Sequence, residues 1–255
     1  MKKIALATAL ALTLSTNVKA DALGIYLGGQ VWDNQASGTF GDGSSQIDFN
    51  LADEKQNSFF IAFEHPLPLI PNIRIASTSL ETIGNTTLTT NFEFEGETFS
   101  DNTNVNADFK VSYIDYTLYY ELFDNDLLSF DFGLTARDFD GDVTVFAQIN
   151  TGSEMVRQSS SVAVTDVVPM LYVRTNVGLP LTGFNLYAQG NFLSIDNHTL
   201  YDYEVGVSYE LIDNLAVDVN INAGYRAVKL ELDDLNDLYT NIEFDGVFVG
   251  TTIHF

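Results

Sequence analysis

The chain ends Ile242-Glu243-Phe244-Asp245-Gly246-Val247-Phe248-Val249-Gly250-Thr251-Thr252-Ile253-His254-Phe255. Side chains of a strand alternate between its two faces, so Val247, Val249, Thr251, Ile253 and Phe255 share one side, and Gly246, Phe248, Gly250, Thr252 and His254 the other. The first side predicts a strand with one face turned away from water. The pattern recurs upstream. Leu215, Val217, Val219, Ile221, Ala223 and Tyr225 alternate with Ala216, Asp218, Asn220, Asn222, Gly224 and Arg226. Leu128, Phe130, Phe132, Leu134 and Ala136 alternate with Ser129, Asp131, Gly133, Thr135 and Arg137.

Ten such segments can be read, at about 22–32, 57–65, from 73 onward, 109–122, 127–138, 167–179, 184–193, 201–211, 215–226 and 242–255. The third is the least regular, because Ile73 and Ile75 give way to Ser77 and Ser79 on the same face. Between the segments, 33–56 is polar, Gly-rich and acidic and predicts a long surface loop. Residues 83–108 predict an extended hairpin around Glu95-Gly96-Glu97, and a second tall hairpin turns at Asn150-Thr151-Gly152-Ser153. Short turns fall at Pro66–Asn72, Phe123–Asp126, Pro180–Gly183 and Ile212–Asn214. Short alternating strands joined by alternately short and long connections predict an all-β fold, a transmembrane antiparallel up-and-down β-barrel of ten strands with long loops at one end. A soluble β-sandwich also offers alternating strands. It does not need aromatic residues on the apolar side near strand ends, nor an export signal.

The amino terminus carries such a signal. Lys2 and Lys3 precede the eleven apolar-rich residues Ile4 to Leu14, and Val18-Lys19-Ala20 forms a small-residue cleavage site. Residues 1–20 are therefore expected to be a signal peptide and 21–255 the barrel. The apolar run falls short of the roughly 20 residues needed to span a bilayer as a helix. The chain has no Cys, which excludes disulfides, thiolate metal sites and attachment of lipid to Cys. Cleavage would remove Lys2, Lys3 and Lys19 and move the net charge from −24 to −27. Such acidity argues against nucleic acid as a partner. At 45% hydrophobic and 13% aromatic the chain is too apolar to be disordered.

A terminal Phe255, apolar residues such as Ile253 at every second position before it, and Gly250 resemble the closing strand and assembly signal of bacterial outer-membrane β-barrels. Phe248 stands where that family usually has a polar residue. Glu64-His65-Pro66-Leu67-Pro68-Leu69-Ile70-Pro71-Asn72, Leu118-Tyr119-Tyr120-Glu121, Leu200-Tyr201-Asp202-Tyr203 and Phe244-Asp245-Gly246 resemble a group of small proteobacterial outer-membrane barrel proteins without assigned activity. The resemblance implies a Gram-negative outer membrane, lipid and lipopolysaccharide as surroundings, and the barrel assembly machinery as a partner in biogenesis. With an even strand count it implies that both termini are periplasmic. Oligomeric state stays open.

Inward positions collect Tyr26, Trp32, Tyr113, Asp115, Tyr119, Glu121, Asp131, Arg137, Tyr172, Arg174, Tyr187, Glu204, Asp218 and Arg226. Buried ions need partners, so Asp115, Asp131, Arg137, Arg174, Glu204, Asp218 and Arg226 are expected to form a lumen charge network. In it, Arg137 and Arg226 would meet Glu204, and Arg174 would meet Asp115. About eight strands are just filled by side chains, whereas channels appear at about 16 to 18. A largely plugged, structural or interaction barrel is expected, with a narrow small-solute or ion pore as the alternative.

No catalytic residues and no cofactor are assigned, and an enzyme is not expected. Omptin surface proteases use carboxylates and a His–Asp pair above the membrane. Here only His198, two residues after Asp196, would lie at that end, and a lone His in a short loop is more often a solvated turn residue. No Ser and His are placed together for acyl transfer. Asp138, Asp140 and Asp142 around Gly141 have the spacing of a calcium loop but lack its closing Glu. Glu231, Asp233, Asp234 and Asp237 form a second acidic cluster. Ca²⁺ or Mg²⁺ at these acidic loops is the one ion the sequence suggests.

Overall fold

The computed structural model describes residues 23–43, 45–125, 127–214, 216–235 and 238–255. The expected signal peptide, and Asp21 as first mature residue, lie outside them. Fifteen strands follow in order: β1 (Gly24–Asp42), β2 (Ser45–Ile47), β3 (Glu54–Glu64), β4 (Asn72–Thr78), β5 (Glu81–Thr87), β6 (Phe92–Phe94), β7 (Glu97–Phe99), β8 (Asn104–Asp124), β9 (Leu128–Asn150), β10 (Met155–Val164), β11 (Val167–Leu179), β12 (Phe184–Ile195), β13 (His198–Asp213), β14 (Asp218–Leu235) and β15 (Leu238–His254).

Ten of them close a ring, in the order β1-β3-β4-β8-β9-β11-β12-β13-β14-β15, each antiparallel to both neighbours. The carboxyl-terminal strand makes the closure. β15 pairs with β1 from Tyr26↔His254 to Asp42↔Leu238, and the Phe255 N–H donates to the Ile25 carbonyl at 3.0 Å. A closed ring leaves no strand edge unpaired, which is what a span through lipid requires.

The irregular third segment is a strand in two pieces. β4 pairs with β8 over Tyr113–Tyr119 and β5 pairs with β8 over Asn104–Lys110. Between them the Val111 N–H donates to the Leu80 carbonyl at 2.8 Å, so the ladder hardly breaks. Apolar residues stop at Ile75 because the strand leaves the apolar belt there, not because it ends.

The same change of surroundings runs through the whole barrel. On β9 the outward residues from Leu128 to Ala136 are apolar, and inward Ser129, Asp131, Thr135 and Arg137 are polar. Beyond Arg137 the facing continues unbroken but its sense inverts. Asp138, Asp140 and Asp142 now point out, while Phe139, Val143, Val145 and Ala147 are buried inside. β8 repeats this, with Ile114 to Leu122 outward in one half and Ser112, Lys110 and Asp108 outward in the other. The half that carries the chain ends therefore wears an apolar belt, in which Leu118 is 51% and Leu134 65% exposed. Side chains of this kind left uncovered all round a ring mark a lipid-facing surface. The far half is built like a water-soluble barrel, with polar residues outside and a dry core inside.

That far half corrects one expectation. Residues 33–56 are not simply a surface loop, since β1 runs to Asp42, β2 folds back on it, and Phe40, Phe49 and Leu51 are buried. Phe40 and Phe49 stack at 4.5 Å, and the β6–β7 hairpin adds Phe92, Phe94 and Phe99. Its turn, Glu95-Gly96, has φ of 49° and 72°, the two positive values a tight two-residue hairpin demands. The expected turn at Asn150 to Ser153 joins β9 to β10. The link between β12 and β13 is a tight turn, because these strands pair as far as Ile195↔His198, and β14 and β15 pair as far as Leu235↔Leu238.

Candidate functional site

At the level where the polarity inverts, four strands bring their charges together. Arg137 (β9) donates from Nε and Nη2 to the two oxygens of Asp115 (β8), both at 2.7 Å, and from Nη2 to Asp202 (β13) at 2.8 Å. Arg226 (β14) forks onto the same Asp202 at 2.9 and 2.8 Å, and its Nη1 donates to Ser58 at 2.6 Å. The Tyr113 hydroxyl donates to Asp202 at 2.7 Å, and the Arg137 guanidinium lies 3.7 Å over the Tyr113 ring. Arg137 is 0% exposed. Charges so deep are tolerated only when paired and hydrogen-bonded, and bidentate arginine–carboxylate forks are the strong form of that pairing.

The pairing differs from the expected one in its acceptor. Asp202, absent from the predicted network, is the hub, while Glu204 accepts from the amides of Gln30, at 3.1 Å, and Gln189. Arg174 does not pair with Asp115, whose oxygens Arg137 and Asn191 occupy. It stands opposite Asp131 in the β9–β11 ladder, and among the described residues it forms no ion pair. Asp131 is 5% exposed and its Oδ1 has no hydrogen-bond partner. Asp218 lies apart at the chain-end rim, 3.2 Å from His254 Nδ1. Two further groups went unread: Glu64, which accepts from the Tyr119 hydroxyl at 2.6 Å, and Arg74 on β4, stacked 3.7 Å over Phe60.

On the far side of this charged layer the inward side chains are apolar and buried. Phe40, Phe109, Phe139 and Phe244 belong to one buried apolar cluster there, which Trp32 and Phe248 join from the level of the charged layer itself. Phe109 lies 6.2 Å from Phe40 and 5.9 Å from Phe244, ring centre to ring centre. On the near side, in the membrane half, a cavity of about 200 Å³ is lined by Arg74, Arg174, Arg226, Gln189, Tyr187, Asn185 and Asn220 among others.

The suggested calcium loop does not form. Asp138, Asp140 and Asp142 lie on the outer face of a strand, where successive same-face residues stand about 6.6 Å apart, too spread to wrap one ion. Among the described residues no three carboxylate or imidazole groups come together as a metal site. Asp142 accepts from Thr144 at 3.1 Å and is matched in the ladder by Lys110. The hydrogen bond from Lys110 to Asp108, 2.7 Å, raises the lysine's pKa above its ordinary value. In the second cluster Asp233 accepts from Asn197 at 2.8 Å, while Asp237 lies outside the described residues. His198 Nδ1 accepts from the Asp233 backbone at 3.2 Å, so it is tied to a strand end rather than to Asp196.

A polar, ion-paired lumen inside an apolar outer belt decides the type. This is a transmembrane β-barrel. No protein-family model matches the sequence, and no curated protein matches it. Similar solved structures include Neisserial surface protein A, at 11% identity over 89% of this chain and 95% of that one, TM-score 0.33. The transport unit of the autotransporter AIDA-I from Escherichia coli shares 11% identity over 98% and 96%, TM-score 0.36. An outer membrane channel from Pseudomonas putida F1 shares 11% over 94% and 99%, TM-score 0.35.

Proposed function

We propose that this protein is a non-conducting outer-membrane barrel, anchored with both termini on the periplasmic side, whose rigid outer tower serves structure or binding rather than transport or catalysis. One observation carries the reading: the ion-paired layer Arg137–Asp115–Asp202–Arg226 reaches across the lumen, and a buried apolar cluster lies beyond it. A pore needs continuous polar space, and an ion-paired layer followed by buried apolar side chains opposes it. The expected export signal and the alternating strands support the location. Asp33, Asp138 and Asp245 face outward just beyond the belt. Carboxylates at that level suit contact with anionic lipopolysaccharide through bridging divalent cations. Planar-bilayer recording of the refolded protein tests the reading. Silence is expected, and steady openings of general-porin size would replace it with the pore alternative.

A further inference from the structure

We propose that the membrane half of the lumen is a blind binding site for a small oxyanionic solute, a phosphate or short carboxylate, entering from the end that carries the chain termini. The first argument is Arg74. It is only 9% exposed, lines the cavity, and its Nη1 has no hydrogen-bond partner. Its guanidinium is held against Phe60 and, among the described residues, forms no ion pair. A buried guanidinium that makes no direct ion pair and leaves a donor unused is costly, and it is seldom kept without a partner.

The second argument is that two of the three lining carboxylates are ion-paired with other arginines and the third, Glu204, has its oxygens held by amides. Asp115 belongs to Arg137, Asp202 to Arg137 and Arg226, and Glu204 to two glutamine amides. Asp131, opposite Arg174, is not among the lining residues. Arg74 and Arg174 thus present planar donor forks to one cavity, and such forks bind oxyanions in the bidentate way. Size sets the class. A cavity of about 200 Å³ has room for phosphate or a short organic acid. Access follows from the lining, since Asn185, Ser208, Asn220 and Thr252 carry the cavity toward the chain-end rim, while aromatic packing closes the other side.

Calorimetric titration of the refolded full chain with inorganic phosphate and with acetate, at fixed ionic strength and with glycerol as neutral probe, tests this. One saturable anion site is expected, with no saturation by glycerol. Arg74→Gln and Arg174→Gln should each weaken it about tenfold or more, and Lys110→Gln on the outer wall should leave it unchanged. Absence of saturable binding by either anion up to about 10 mM, or affinity unchanged in both arginine variants, overturns the proposal. If those variants do not fold, Asn185→Trp at the entrance decides: slower phosphate uptake supports the site and unchanged uptake overturns it. Bilayer silence without anion binding removes the site alone, whereas anion binding with porin-like openings removes the non-conducting reading and the closed far end but keeps the anion site.

Discussion

Asp115 and Arg137 face each other directly across the β8–β9 ladder and are joined by two parallel hydrogen bonds of 2.7 Å. Their level is where the barrel changes solvent. Asp202 completes the layer by accepting from both Arg137 and Arg226. Replacing Asp202 with Ala leaves two buried guanidinium groups short of a shared acceptor and is expected to cost about 3–5 kcal/mol. Glu204→Gln keeps an oxygen for the glutamine amides and should cost much less. Urea-unfolding midpoints in detergent check this, and equal midpoints would deny Asp202 its role as hub.

The position of the belt gives a second expectation. Leu118 lies opposite Leu134 on one side and Ile73 on the other, within an apolar ring. An arginine there, near the middle of the bilayer, should cost about 2–4 kcal/mol. Ser112→Arg lies on the same strand and face but beyond the belt, among Lys110 and Asp108, and should assemble normally. Heat-modifiable migration of the two variants on gels checks this. Equal assembly of both would mean that the belt is misplaced.

Period-two alternation locates the ten barrel strands and, in the membrane half of the regular ones, the inward face, which puts Asp115, Arg137 and Arg226 in the lumen. The far half could not be read in the same way. Its strands keep the period but exchange which face is apolar, so Phe92-Glu93-Phe94 and the scattered Phe40, Phe49 and Leu51 looked like hairpin and loop. Asp202 carries a usable signal, since it lies two residues from inward Glu204 on the same face of β13. Arg74 lay between Ile73 and Ile75, whose outward facing alone would have turned it inward. The choice of Asp202 over Glu204 depends on how Arg226 folds across the lumen, which no single strand encodes.

Calcium supplies a third expectation. The outer-wall carboxylates at Asp138, Asp140 and Asp142 crowd one another along a strand, so divalent ions should act on them by screening. Calorimetric titration with CaCl₂ should show no saturable site that Asp140→Ala removes. A saturable heat lost in that variant would show that the strand rearranges around an ion.

The apolar seal and the charged seal should fail separately. Phe109 packs between Phe40 and Phe244 in the far half, and Phe109→Ala removes a ring that nothing nearby is free to replace. The expected cost is about 3–5 kcal/mol, most of it from the cavity left behind. Conductance should nevertheless stay silent, because the Arg137–Asp115–Asp202–Arg226 layer still spans the lumen on the membrane side. Only when Phe109→Ala is combined with Arg137→Ala does a polar path meet a void, and brief, small openings are then expected in planar bilayers. Large openings from Phe109→Ala alone would show that the ion-paired layer does not seal the lumen.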